Sequence, residues 1–293
     1  MTAPAGEALR DAASDSVTFA FGDAAAEVYG LARLGLAHAR DGARRGSALA
    51  LLFSGREPVA ALARGDLEVP AGASWDALAL AGVRTTTEAP LDRWTVAFDA
   101  EDGQGFALAF EALGGPAELA GDAVRLGGME GYDQPCRVHG TVRAGGRELQ
   151  LDALGQRGHS WGDPDWERIE LARTVTAWTD GACAALTAIR PDGAQTHADE
   201  AVWAAVWEPE ALVEIADPRL STTYDADGHT RRAGLELWPS GEEVWARRGA
   251  GEVLCGSSLE LGALQLDCAF FRWHLEGRAG VGRYDILRRA AAA

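Results

Sequence analysis

The feature that most constrains the fold is a regular succession of short apolar or alternating segments, separated by glycine and aspartate. Leu264 to Glu276 shows it clearly, because Phe271 and Trp273 fall on one face of an extended segment. Turn signals such as Gly145-Gly146 recur between the segments. This spacing predicts an all-β, antiparallel protein, built as barrels or sandwiches.

The predicted strands divide into two groups of about nine on either side of residue 165. We therefore predict two similar β domains, covering residues 1–165 and 166–293. Residues 1–14 read as a loose arm, and the glycine-rich stretch from Gly114 to Gln134 reads as a long connection.

Charge and composition exclude several kinds of function. The formal net charge is −17, and an acidic protein is repelled by nucleic acids and by anionic membrane surfaces. The chain contains no lysine, which excludes a Schiff-base lysine, a pyridoxal phosphate enzyme and a Walker A loop. We therefore expect that the protein binds neither nucleic acids nor anionic membrane surfaces.

The cysteines and histidines do not form a recognisable metal-binding pattern. Four scattered cysteines include no Cys-x-x-Cys pair, and the histidines lack the i, i+4 spacing of a helical metal site. We expect buried, reduced thiols, no metal and no cofactor.

The sequence shows no signal peptide and no membrane-spanning segment. The N-terminus has no basic segment followed by an apolar run, and the longest apolar run, Ala48 to Phe53, is too short to cross a bilayer. We expect a cytoplasmic protein without stable membrane insertion. The sequence makes no prediction about its oligomeric state.

The stretch Leu154 to Trp166 contains a high density of side chains that can take part in acid–base chemistry. His159 can transfer a proton near neutral pH, and Asp163 and Asp165 are carboxylates beside the aromatic bulk of Trp161 and Trp166. One interpretation is a tight polar turn with aromatic caps, in which glycines let the backbone bend. The other is a reaction site.

A second hypothesis for the same stretch is a serine hydrolase. Residues 158–162 read Gly-His-Ser-Trp-Gly, which matches the Gly-x-Ser-x-Gly nucleophile elbow with Ser160 as the nucleophile. That motif requires a strand before the serine and a helix after it.

The sequence Gly-Gln-Arg-Gly-His-Ser-Trp-Gly, starting at Gly155, resembles the His-x-Trp-Gly signature of a double lipocalin-like family. That family includes the carotenoid 1,2-hydratases (hydroxyneurosporene synthases), the AttH-like proteins and lipocalin-like cyclases of natural-product pathways. The glycine-rich segment from Arg278 to Asp285 is similar to the family's final strand. The hydratases also use a Tyr-x-Asp pair, whose nearest counterpart here, Trp178 to Asp180, has tryptophan in place of tyrosine.

The resemblance implies two tandem lipocalin-like domains and acid-initiated hydration or cyclisation of an apolar isoprenoid or polyketide, without a cofactor. Asp163 or Asp165 would be the acid, because burial in an apolar pocket keeps a carboxyl group protonated. His159 would orient that acid or accept a proton. Aromatic faces stabilise a cationic intermediate, and the predicted substrate-binding residues are Trp161, Trp166, Trp178 and Trp273.

A lipocalin-like carrier that binds an apolar ligand and leaves it unchanged is the main alternative. A carrier needs only the cavity, so it would retain its ligand after loss of His159. For an enzyme, we predict that His159→Ala abolishes turnover and changes stability little.

Overall fold

The chain folds into two compact units. The computed structural model describes residues 8–38, 43–241 and 245–290. One unit comprises Met1–Pro116 and Gly131–Asp163, and the other comprises Ala117–Glu130 and Pro164–Ala293. The chain passes from the first unit to the second near residue 163, and residues 117–130 also belong to the second unit. The predicted connection there contains a short helix, which a glycine-rich pattern does not reveal.

The first unit is one antiparallel sheet of strands joined in the order β4-β3-β2-β1-β11-β10-β8-β7-β6-β5. Its strands are β1 (Ser14–Asp23), β2 (Val28–His38), β3 (Arg44–Ser54), β4 (Glu57–Glu68), β5 (Ala77–Leu80), β6 (Val83–Ala89), β7 (Arg93–Asp99), β8 (Gly105–Ala112), β10 (Met129–Ala144) and β11 (Arg147–Gly162). Between β8 and β10 the chain forms β9 (Ala117–Glu118) and the helix α1 (Asp122–Gly127).

The sheet of the first unit curls around a single apolar core. Phe19 and Phe21 of β1 pack edge to face against aromatic rings of other strands of this core. The curl brings β3 against β5, since a Cβ added at Gly46 would lie 2.7 Å from Leu80 Cδ1. Any larger residue at position 46 would require the Leu80 side chain to move.

The second unit is a closed antiparallel barrel of eight strands, each paired with the next and the last paired with the first. The strands are β12 (Ile169–Thr179), β13 (Ala182–Pro191), β14 (Ala201–Glu208), β15 (Ala211–Tyr224), β16 (Thr230–Pro239), β17 (Arg247–Leu261), β18 (Leu264–Leu275) and β19 (Arg278–Arg289). Closure leaves no unpaired edge in this sheet. The all-β fold class with tandem barrel-like sheets is therefore confirmed.

Local sequence signals account for much of this order. The predicted hairpin across Gly145-Gly146 joins β10 to β11, and both glycines have the positive φ angles, 59° and 75°, that a two-residue hairpin turn requires. All four cysteines are free and buried, as expected. Among the described residues, no helix is long and apolar enough to cross a membrane.

Candidate functional site

The central stretch of the sequence is a strand up to Gly162 and is not the tight turn that one interpretation predicts. β11 runs through Gly155, Gly158 and His159 and pairs with β1. The glycines of β11 allow neighbouring atoms to approach the strand closely, and they do not bend it. A Cβ at Gly155 would lie 2.3 Å from the Ala20 carbonyl oxygen of β1.

His159 forms a fully buried pair with a carboxylate from the start of β1. His159 Nε2 lies 2.7 Å from Asp15 Oδ1, and the two side chains are 0% and 2% exposed. The antiparallel register places Asp15 opposite Trp161 and Val17 opposite His159, so the pair is a diagonal contact across neighbouring strands. This arrangement joins residues 144 positions apart.

Two further donors fix the Asp15 carboxylate. The indole N–H of Trp75 donates to Asp15 Oδ2 at 3.0 Å, and the backbone N–H of Arg10 donates to the same oxygen at 2.7 Å. Arg10 lies in the predicted loose arm, of which residues 1–7 fall outside the described part of the chain. Residues 8–13 form no strand or helix, yet they supply this contact.

Aromatic rings enclose the imidazole of His159 on several sides. The ring centroids of Trp161, Tyr132 and Trp75 lie 5.1, 5.6 and 6.0 Å from that of His159, all in edge-to-face geometry. The Tyr132 hydroxyl lies 3.5 Å from His159 Nδ1. Trp161 is the half-buried member of this group, and Tyr132 and Trp75 are buried.

Two arginines flank this aromatic group. The Arg10 guanidinium carbon lies 4.4 Å from the centroid of Trp161. Arg157, two residues before His159 on the same face of β11, is fully buried, and its guanidinium carbon lies 4.9 Å from the centroid of Tyr132. Such stacking stabilises a buried cation. Arg157 therefore places a buried positive charge against the ring of Tyr132.

Burial and hydrogen bonding act in opposite directions on Asp15. Burial alone would raise the pKa of its carboxyl group, but the hydrogen bond from His159, the backbone N–H of Arg10 and the indole of Trp75 together hold the pKa below the usual value of 3.8. Asp15 is therefore a carboxylate at neutral pH. A carboxylate at Nε2 favours the tautomer with the proton on that nitrogen and stabilises an imidazolium.

The lowered pKa predicts a pH dependence of stability. The unfolded carboxyl titrates near its ordinary pKa and the folded one below it, so unfolding takes up a proton as the pH falls. The stabilisation is complete above the ordinary pKa and is lost as the pH falls through the folded value. We expect wild-type stability to decline more steeply than that of Asp15→Asn from about pH 5 to about pH 3, in urea titrations. Parallel curves would contradict this assignment.

The two aspartates predicted as acids lie elsewhere. Asp163 and Asp165 are both exposed, and Asp165 Oδ1 accepts the backbone N–H of Glu167 at 3.0 Å. The burial that would keep either carboxyl protonated is therefore absent from both. Beyond Gly162 the chain leaves the sheet, whose alternation places His159 and Trp161 on the inner face.

Of the four tryptophans predicted to bind substrate, Trp161 contacts His159. The other three belong to the second unit. Trp166 packs against the small cluster around Ile169, Trp178 is buried, and Trp273 lies in the apolar core of the barrel, stacked on Phe271. Their role in substrate binding remains a prediction.

Ser160 does not lie in a nucleophile elbow. It is a residue of β11, with no helix after it, and its hydroxyl lies 3.0 Å from that of Ser16 on the neighbouring strand. Its side chain points away from His159, because adjacent residues of a strand face opposite sides. The serine hydrolase hypothesis thus lacks the structural context it requires.

We accordingly expect no covalent labelling of Ser160 by a fluorophosphonate. Within the described residues, its hydroxyl lies beside that of Ser16, which is not a general base. Intact-mass spectrometry after incubation checks this, and Ser160→Ala is the matched control. A single phosphonyl adduct on the wild-type protein that is missing from Ser160→Ala would restore the hydrolase.

One group of residues in the described structure could hold a metal ion by spacing alone. Asp225, Asp227 and His229 lie together in the turn between β15 and β16. Asp225 is already engaged there, since its Oδ1 accepts the backbone N–H groups of Asp227 and His229 and its Oδ2 pairs with Arg231 at 3.0 Å. The turn explains the cluster without an ion.

The fold defines this protein as a double lipocalin-like β protein, and its first unit encloses the buried Asp15–His159 pair. The match to a family model covers residues 5–290, and the chain belongs to that family, described as Domain of unknown function (DUF7064). No curated protein has a sequence that matches this chain.

Solved structures share the fold at low identity. A candidate AttH from Nitrosomonas europaea is 11% identical, with a TM-score of 0.69 over 96% of this chain and 94% of the other. Kievitone hydratase from Nectria haematococca is 9% identical, and CghA bound to Sch210972 is 13% identical. Each has a TM-score of 0.61 and covers 96% of this chain and 90% of the other. These neighbours fit the AttH-like part of the resemblance, and its carotenoid hydratase part remains a prediction.

Proposed function

We propose that this protein is a cofactor-independent hydratase or cyclase that acts on an apolar isoprenoid or polyketide. The observation that carries the proposal is the buried Asp15–His159 pair within a cage of Trp75, Tyr132 and Trp161. An acid–base pair in apolar surroundings suits proton transfer to and from a substrate with few polar groups. Two neighbours by fold, kievitone hydratase and CghA, support this class of reaction.

The geometry favours His159 as the group that moves the proton. Asp15 accepts the proton on Nε2, so Nδ1 is the nitrogen that can exchange a proton with the substrate or water. Tyr132 lies 3.5 Å from that nitrogen and can pass the proton on. Asp15 is ionised and so positions and stabilises the imidazolium.

This assignment narrows the substrate. An imidazolium is a weaker acid than the protonated carboxyl group that the sequence suggested. General acid catalysis works best when the pKa of the catalyst suits its task. An isolated alkene needs a stronger acid. The pair suits a double bond activated by conjugation to a carbonyl group, as in many polyketides.

Hydration of such a bond balances without a further reactant. His159 Nδ1 takes a proton from water as the oxygen forms a bond to the β-carbon, and the π electrons move to the carbonyl oxygen. The resulting enolate then takes the proton from the imidazolium at its α-carbon. Arg157 supplies a buried positive charge that would stabilise the enolate.

Isotopic solvents test the proposal against a carrier function. The wild-type protein would be incubated with a panel of conjugated isoprenoid and polyketide enones in H₂¹⁸O and, separately, in D₂O, and the products read by mass spectrometry. A hydratase incorporates ¹⁸O and solvent deuterium, and a cyclase yields an isomer of unchanged mass in ordinary water. Tight binding of panel members that are recovered unchanged would establish a carrier.

A further inference from the structure

The barrel of the second unit contains a cavity at the end where the β15–β16 turn lies. Its volume is about 330 Å³, which lies at the lower end of the range, about 300–1,000 Å³, of small-molecule sites. Its walls come from the β15–β16 turn, from the start of β16 and from strands β17, β18 and β19. No residue of the Asp15–His159 site lines it, and that site belongs to the other unit.

The inner end of this cavity is apolar and closed by an aromatic ring. Val253, Ala269 and Ile286 line it and belong to or pack against the barrel core. Tyr284 reaches from β19 to β15, where its hydroxyl lies 2.6 Å from that of Thr222. Its ring stacks on Phe271 with centroids 5.5 Å apart, so the barrel is filled beyond it. Burial raises the pKa of Tyr284 to about 12, and its phenol stays neutral.

The charged residues around the cavity neutralise one another. Asp225 pairs with Arg231 at 3.0 Å. Asp267 pairs with Arg288 at 2.8 Å and also accepts the hydroxyl of Ser258 at 2.6 Å. Each carboxylate lining the cavity thus has its own arginine, so no uncompensated charge favours an ionic ligand.

One hydroxyl group on the wall is available to a ligand. Thr230 lines the cavity and is 8% exposed. Within the described part of the chain, its side chain makes no hydrogen bond. A ligand with a hydroxyl or carbonyl oxygen would supply one.

We propose that this cavity, lined by Val253, Ala269, Ile286, Tyr284 and Thr230, is a second binding site, for a small uncharged molecule with an apolar body and one hydroxyl or carbonyl group. The apolar body contacts the inner wall and the Tyr284 ring. The oxygen bonds the hydroxyl of Thr230. The site is independent of the reaction assigned to His159, because its residues lie in the other unit.

Naphthalene derivatives test both parts of this assignment by calorimetric titration. We expect one molecule of 2-naphthol to bind, with the anion 2-naphthoate at least about tenfold weaker, since the cavity offers an anion no unpaired cation. Thr230→Val removes the hydroxyl and keeps the shape. It should weaken the binding of 2-naphthol by about three- to tenfold and leave the binding of naphthalene, which has no hydroxyl, unchanged.

Filling the cavity supplies the second test. Ala269→Phe should weaken 2-naphthol by at least about tenfold, because the ring occupies the space of the ligand. Ala263→Phe, at the exposed β17–β18 turn, is the matched control and should bind as the wild type does. If circular dichroism shows that Ala269→Phe is misfolded, Ile286→Phe replaces it. The proposal is overturned if the wild type does not bind, if 2-naphthoate binds as tightly as 2-naphthol, or if a folded filling variant binds unchanged.

Discussion

Replacing His159 with alanine is expected to lower the free energy of unfolding by about 3–5 kcal/mol, because removing one partner leaves the other charge buried without compensation. Asp15 would keep its bonds from Trp75 and Arg10, which places the loss toward the lower end of that range. The burial of His159 thus reverses the expectation, drawn from the sequence alone, that this substitution would change stability little.

Chemical denaturation followed by tryptophan fluorescence measures this loss. His139→Ala is the matched control: His139 is exposed on strand β10 of the same sheet, and we expect a change within about 0.5 kcal/mol. An equally small change for His159→Ala would show that the pair contributes nothing to stability.

Asp15→Asn is expected to lower kcat by about 10²–10⁴-fold, the usual contribution of a positioned acid–base group. Asparagine keeps the shape of the side chain but cannot stabilise an imidazolium, and it can hold the imidazole in the wrong tautomer. KM should change little, because Asp15 is buried behind His159 and does not reach the substrate. Steady-state kinetics, normalised to folded protein, on whichever substrate the isotope panel identifies would measure this.

Asp163→Asn and Asp165→Asn are the controls for that experiment. Both positions are exposed, and we expect turnover close to that of the wild type. A large loss in either, with Asp15→Asn still active, would return the acid to the position that the sequence suggested.

The sequence predicts those parts of the structure that rest on local patterns. Alternation along Leu264–Glu276 predicts β18, and the Gly145-Gly146 pair predicts the hairpin between β10 and β11. His159 and Trp161 are two residues apart, so a strand necessarily places them on one face. Their shared face follows from this spacing once the stretch is known to be a strand, which the sequence analysis did not predict.

The partner of His159 could not be predicted in the same way. Asp15 lies 144 residues away, and only the pairing register of β1 with β11 brings the two together. A shift of one residue would turn Asp15 to the other face, and one sequence does not specify that register. The available signal was a charged residue two positions before the apolar segment Val17 to Phe21.

The most direct test of the Asp15–His159 assignment is the rate at which solvent deuterium enters the carbon skeleton of the product in D₂O. His159→Gln keeps a polar side chain of similar size but cannot carry the proton. The assignment predicts that the wild-type protein incorporates one deuterium per turnover and that folded His159→Gln does so about 10²–10⁴-fold more slowly. Incorporation at the wild-type rate by folded His159→Gln would contradict it.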